Sequence, residues 1–206
     1  MNSQIHITYS ARVRMIVVLL LVVVALFAPL SAPVDAQSPV APILLVVNDG
    51  GSSPFGRYLG EILRAEGLNS FDVVNLSALT AGDLSAHTLT VLAETTLTAP
   101  QATLFTNHVN GGGRLLAMRP DAQIAGLFGL GSAAGTQTDG YLQILTAATW
   151  DSQQPGSGLS GSTLQIHGTT SRYSLAGGVM LAQLFSNATT ATSYPAVAGA
   201  ASGRAA

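Results

Sequence analysis

Between residues 42 and 130 the chain alternates short apolar runs with segments of helical periodicity, and that alternation leaves few folds open. Ile43-Leu44-Leu45-Val46-Val47 is apolar at every position, as a strand covered on both faces must be. Residues 71–76, 89–93 and 114–118 read as three more strands. After the first strand, Phe55, Tyr58, Leu59, Ile62 and Leu63 recur at i, i+3, i+4, i+7 and i+8, one face of a helix. Pro54 fits its first turn, Ser53 its N-cap and Gly67 its end. Residues 80–87 read as a short polar helical turn. Thr98-Ala99-Pro100-Gln101 has capping-box spacing and opens a helix with Leu104, Phe105, His108 and Val109 on one face. Gly111-Gly112-Gly113 ends that helix, and residues 121–128 read as another short one capped by Asp121.

Repeated strand–helix–strand units with short loops predict a mainly parallel sheet of strand order 2-1-3-4. The fold class is therefore α/β, a flavodoxin-like three-layer sandwich. After Leu130 the texture changes. Gly, Ser, Thr and Gln dominate residues 131–161, with one apolar stretch at 141–145, and residues 164–167 and 179–185 read as further strands or a strand and a short helix. This predicts an irregular, β-containing C-terminal part. The domain then runs from 42 to 198 with its core in 42–130, and residues 199–206 read as a low-complexity tail.

The first 36 residues carry a different signal. Arg12 and Arg14 precede an apolar run over 15–28, Pro29 and Pro33 break it, and Val34-Asp35-Ala36 supplies a small-x-small cleavage motif. That order predicts a signal peptide cleaved after Ala36, a linker over 37–41, and a protein that is secreted or held in the cell envelope. Membrane contact is expected only through an uncleaved signal. Beyond residue 36 stand six arginines, no lysine and nine carboxylates, without a basic patch, which argues against nucleic acid as a partner. The chain has no cysteine, so disulfides, thiolate metal sites and thiol nucleophiles are excluded. His87, His108 and His167 lie far apart with no HxH or HExxH spacing, so no metal is expected, and no cofactor motif is present.

In an open parallel sheet, ligands sit beyond the carboxyl ends of the strands where strand order reverses. That rule selects Asn48, Asp49, Ser52 and Ser53 after the first strand, Glu94, Thr95 and Thr96 after the third, and Arg119, Pro120 and Asp121 after the fourth. The Asp49–Ser53 loop opens a helix whose N–H groups suit an anion, or it is only a turn ending in a cap. Glu94 directly follows an apolar strand, a place for a catalytic carboxylate or a solvated strand end. Arg119 and Asp121 flank Pro120 and suit a substrate carboxylate, or else a local ion pair or helix cap. His167, near Arg172 and Tyr173, is the candidate general base.

Residues 42–130 resemble the class I glutamine amidotransferase-like superfamily, most closely the trehalose-utilisation-type proteins and the related domain of β-galactosidases. The carrying pattern is Val91-Leu92-Ala93-Glu94, then Leu97-Thr98, then a helix closing in Val109-Asn110-Gly111-Gly112-Gly113, then a strand over 114–118. In that superfamily a nucleophile elbow follows this strand. Here the matching positions are Met118-Arg119-Pro120-Asp121, without cysteine, so glutaminase chemistry is absent. Further on, Ser186-Asn187 and Tyr194-Pro195-Ala196-Val197 are similar to the family's late hairpin, and Ser202-Gly203-Arg204 to the turn before a final strand. The resemblance therefore implies a C-terminus truncated relative to the family, and a bare sheet edge inviting self-association. It also implies an exported, non-catalytic binding or scaffold domain with a small-molecule or carbohydrate ligand. Two alternatives stay open: a thiol-independent hydrolase using Glu94 and His167, and a flavin or nucleotide binder at the Asp49–Ser53 loop.

Overall fold

A computed structural model describes residues 40–51 and 55–206. The expected signal segment 1–36, the expected linker over 37–39, and Ser52, Ser53 and Pro54 with the capping expected of them lie outside the described residues. Four parallel strands form the first sheet: β1 (Ile43–Val47), β2 (Phe71–Asn75), β3 (Leu89–Leu92) and β4 (Leu115–Ala117), in the order β2-β1-β3-β4. Helix α1 (Phe55–Ala65) packs on one face. Helices α2 (Ala81–Ala86) and α3 (Ala99–Asn110), with a 3-10 turn at Ala125–Phe128, pack on the other. The predicted three-layer α/β sandwich is present. No described helix is long and apolar enough to cross a membrane.

Parallel register explains the apolar runs. Leu44, Thr90 and Leu115 stand side by side and face α3, while Leu45, Val91 and Leu116 face the side of α1. Both faces of β1 are thus covered, and alternation disappears from its sequence. Local chemistry starts the helices. The Thr80 N–H donates to Asp83 Oδ2 at 2.8 Å and the Asp83 N–H returns to Thr80 Oγ1 at 3.2 Å, a reciprocal cap on α2. The Thr98 N–H donates to Gln101 Oε1 at 2.9 Å at the start of α3.

Helix α1 departs from its predicted packing. Leu59 and Leu63 do meet the sheet, but Phe55, Tyr58 and Ile62 are each more than half exposed. The buried positions are Gly56 and Gly60. A Cβ on Gly56 would stand 2.8 Å from the Val47 side chain, so only glycine lets the helix approach this closely. Close approach turns the larger apolar residues outward.

The C-terminal part is antiparallel. Strands β6 (Tyr141–Ile144), β7 (Thr163–Gln165), β9 (Val179–Phe185) and β10 (Ala191–Gly199) form a sheet in the order β10-β9-β6-β7. Strands β5 (Leu130–Thr138) and β8 (Thr169–Leu175) pair separately. Pro195 lies in β10 between register shifts, at a sheet edge where a missing N–H is tolerated.

Residues 199–206 are not a loose tail. Ala205 bridges Leu115 in parallel, the Ala117 N–H donates to the Ala206 carbonyl at 2.9 Å, and Ala205 is 1% exposed. The Trp150 indole N–H donates to the Ala200 carbonyl at 2.6 Å and fixes the preceding turn. Small side chains were needed for this insertion: Ala200 and Ala205 both belong to the main core. Residues 204–206 thus cover the β4 edge of the parallel sheet.

Candidate functional site

The carboxyl ends of β1, β3 and β4 open into a cleft of about 330 Å³. Asn48 follows β1, and its amide donates to Thr95 Oγ1 at 2.9 Å, tying the two strand ends across the reversal point. Glu94 and Thr95 come from the end of β3, and Arg119 and Asp121 follow β4. The order reversal that selected these positions is the geometry observed.

Arg119 lines the cleft. Its Nη1 donates to Glu94 Oε1 at 2.7 Å and its Nε donates to Ser171 Oγ at 2.9 Å. The guanidinium thus bridges the parallel sheet and β8. Arg119 has φ +46°, a left-handed conformation costly for a side chain of this size. Both partners of the ion pair remain about one-third exposed, within reach of a ligand. The pair is with Glu94, not the neighbouring Asp121.

Asp121 holds the turn. Its Oδ2 accepts from the Leu97 N–H at 3.0 Å, and its Oδ1 accepts from the Gln123 N–H at 2.8 Å. Burial alone would raise this carboxyl; the donors from Gln123 and Leu97 outweigh it and hold the group below the usual carboxylate range. Tyr173, buried on β8, donates to the Pro120 carbonyl at 3.0 Å and clamps the same turn from the other side. Burial pushes the Tyr173 phenol up, and the Asp121 charge adds to it.

The remaining sequence candidates are placed elsewhere. Asp49 lies outside the cleft wall and is bidentate to Arg57, at 2.9 and 2.7 Å. That hydrogen-bonded guanidinium holds the Asp49 carboxyl below its ordinary value. His167 is exposed and lines neither the cleft nor the cavity behind it. Ser52 and Ser53 lie outside the described residues. The structure thus brings together Asn48, Glu94, Thr95, Thr96, Arg119 and Asp121, and adds Ser171. Ser171 stands 52 positions beyond its partner Arg119, on a strand of mixed polar residues, and no local pattern marks it.

No protein-family model matches the chain, and no curated protein does. Solved structures do. A ThuA-like protein from Bacteroides uniformis superposes with a TM-score of 0.58 at 10% identity, over 83% of this chain and 82% of that one. Alpha-L-fucosidase isoenzyme 2 from Paenibacillus thiaminolyticus superposes with a TM-score of 0.52 at 16% identity, over 79% of this chain. The match spans only 27% of the fucosidase. At such identities the likeness establishes a shared fold.

Proposed function

We propose that this is an exported, non-catalytic domain that binds a carbohydrate in the cleft at the ends of β1, β3 and β4. The observation that carries the reading is Arg119, held at positive φ while bridging Glu94 and Ser171. Strain retained at the wall of an open cleft is a mark of a working site. The chemistry there suits a polyol: a carboxylate, a guanidinium, a side-chain amide and hydroxyls converge within one small volume. A sugar hydroxyl can donate to Glu94 while its oxygen accepts from Arg119. The structural likeness to a region of a fucosidase and to a ThuA-like protein agrees with a carbohydrate ligand. Export rests on the signal-like order of residues 1–36, and N-terminal sequencing of the secreted protein is expected to begin at Gln37.

Two observations favour binding over turnover or nucleotide capture. Glu94 already accepts from Arg119, and His167 lies off the cleft, so these two do not converge as an acid/base pair on a bound bond. Asp49, paired to Arg57, sets a carboxylate beside the loop where a phosphate would sit. Calorimetric titration with fucose, galactose and trehalose tests the reading. Arg119→Ala and Glu94→Gln are each expected to weaken the best ligand by roughly tenfold or more, since each removes a charge-assisted hydrogen bond. His167→Ala is expected to change nothing. Hydrolysis that depends on Glu94 or His167 would sink the proposal.

A further inference from the structure

The polar cleft is one of two adjoining spaces. Behind the Arg119 bridge lies a cavity of about 450 Å³, and Glu94, Arg119, Pro120 and Ser171 line both. Its walls are gathered from distant parts of the chain: Leu116 and Met118 around the end of β4, Leu130 at the start of β5, Leu142 on β6 and Leu184 on β9. These surfaces are apolar. The hydroxyls among them are already engaged. Tyr173 donates to the Pro120 carbonyl, Thr170 donates to the Gln137 carbonyl at 3.2 Å, and Thr169 Oγ1 lies 3.3 Å from Thr138 Oγ1. Ser171 accepts from Arg119. An ordered water needs two to four polar partners, and these walls leave few. The volume far exceeds a packing void and matches pockets that hold small molecules.

We propose that the two spaces form one bipartite site for an amphiphilic glycoside. The hydroxylated head occupies the cleft, and an aryl or short alkyl group passes Arg119 into the apolar cavity. This rests on the carbohydrate reading above and adds the class of aglycone. Arg119 is then the positioning residue at the junction, its guanidinium turned to the head and its stem beside the aglycone.

Calorimetry on the purified protein with matched probes tests this: methyl and 4-nitrophenyl α-L-fucoside, the corresponding β-D-galactosides, and 4-nitrophenol alone. A nitrophenyl glycoside is expected to bind roughly tenfold or more tighter than its methyl counterpart, because the ring leaves water. Free 4-nitrophenol is expected to bind more weakly than that glycoside. Met118→Gln, at a partly exposed position on the cavity wall, is expected to erase most of the gain while leaving methyl glycoside affinity and Tm unchanged. Equal affinity for the methyl and nitrophenyl forms, with both lost in Arg119→Ala, overturns the bipartite site and leaves carbohydrate binding standing. Binding of 4-nitrophenol as tightly as the glycosides overturns both readings, since the head then contributes nothing. Failure of every probe to bind overturns both as well.

Discussion

On one face of the parallel sheet, Leu44, Val46, Leu92 and Leu115 lie beneath Leu84, Phe105, Val109 and Phe128, joined by Ala200 and Ala205 from the far end of the chain. On the other face, Leu45, Val47 and Val91 lie beneath a single helix that meets them through two glycines and two leucines. The first face draws stability from volume. The second draws it from distance: α1 sits close, so little side chain is needed between helix and sheet, and Phe55, Tyr58 and Ile62 are left outside. The same sheet is thus held by two different physical means, and substitutions separate them.

The largest effect belongs to the thick face. Phe105 is fully buried, so Phe105→Ala is expected to cost about 3–5 kcal/mol in denaturant unfolding, the usual loss for an emptied aromatic site. Gly56→Ala breaks the thin face differently, by adding one methyl where the Val47 side chain and backbone stand at about 3 Å. A cost of about 1–3 kcal/mol is expected, against near neutrality for Gly60→Ala, whose added methyl would crowd only the end of Leu45, at 3.1 Å, and meet Arg64 and Phe71 at ordinary contact distance. If both glycines tolerate alanine equally, close approach is not what holds α1.

Thr90 sharpens the contrast. It is fully buried on the thick face, and its Oγ1 has no hydrogen-bond partner. Thr90→Val keeps the shape and removes an unsatisfied hydroxyl, so a gain of about 1 kcal/mol is expected. Ile62→Gln, on the outer side of α1, is expected to stay within about 0.5 kcal/mol.

Acid probes two held carboxylates, Asp121 at the site and Asp83 at the cap of α2. Asp121 and Asp83 are held below the unfolded carboxylate value, Asp121 by its backbone donors against burial and Asp83 by the Thr80 hydroxyl and N–H. Their contribution is present above about pH 4 and is lost as pH falls through their folded values. Asp121→Asn is expected to be less stable at neutral pH and to lose less than the parent between about pH 4 and pH 2.

Much of this architecture was legible in the sequence for one reason. Strands covered on both faces cannot hide their apolar runs, and β1, β3 and β4 were marked accordingly, while the half-exposed edge strand β2 was marked by its Val-Val pair. Glu94, Thr95, Arg119 and Asp121 were legible because the strand order places strand ends at the reversal point. Helix α1 was read correctly as an element and incorrectly as a surface, since periodicity assumes that the largest apolar residues face inward, and here glycines do. Strands β5 and β8 carry Ser, Thr, Gly and Ala with only scattered apolar residues, so nothing local separates them from loop. Ser171 was invisible with them. Residues 199–206 read as a tail because alanine and glycine carry almost no pattern, whereas Ala200 and Ala205 lie buried in the core.

The pairing of Leu115 with Ala205 spans about ninety residues of chain. Closing so long a loop is entropically expensive and slow relative to local helix or hairpin formation. The parallel sheet is therefore expected to assemble first with β4 as a temporary border, and to be sealed only after the antiparallel half has formed and delivered residues 204–206 to it. On that expectation the two halves of the molecule are joined in time as well as in space: the last step of folding would be the one that finishes the first sheet.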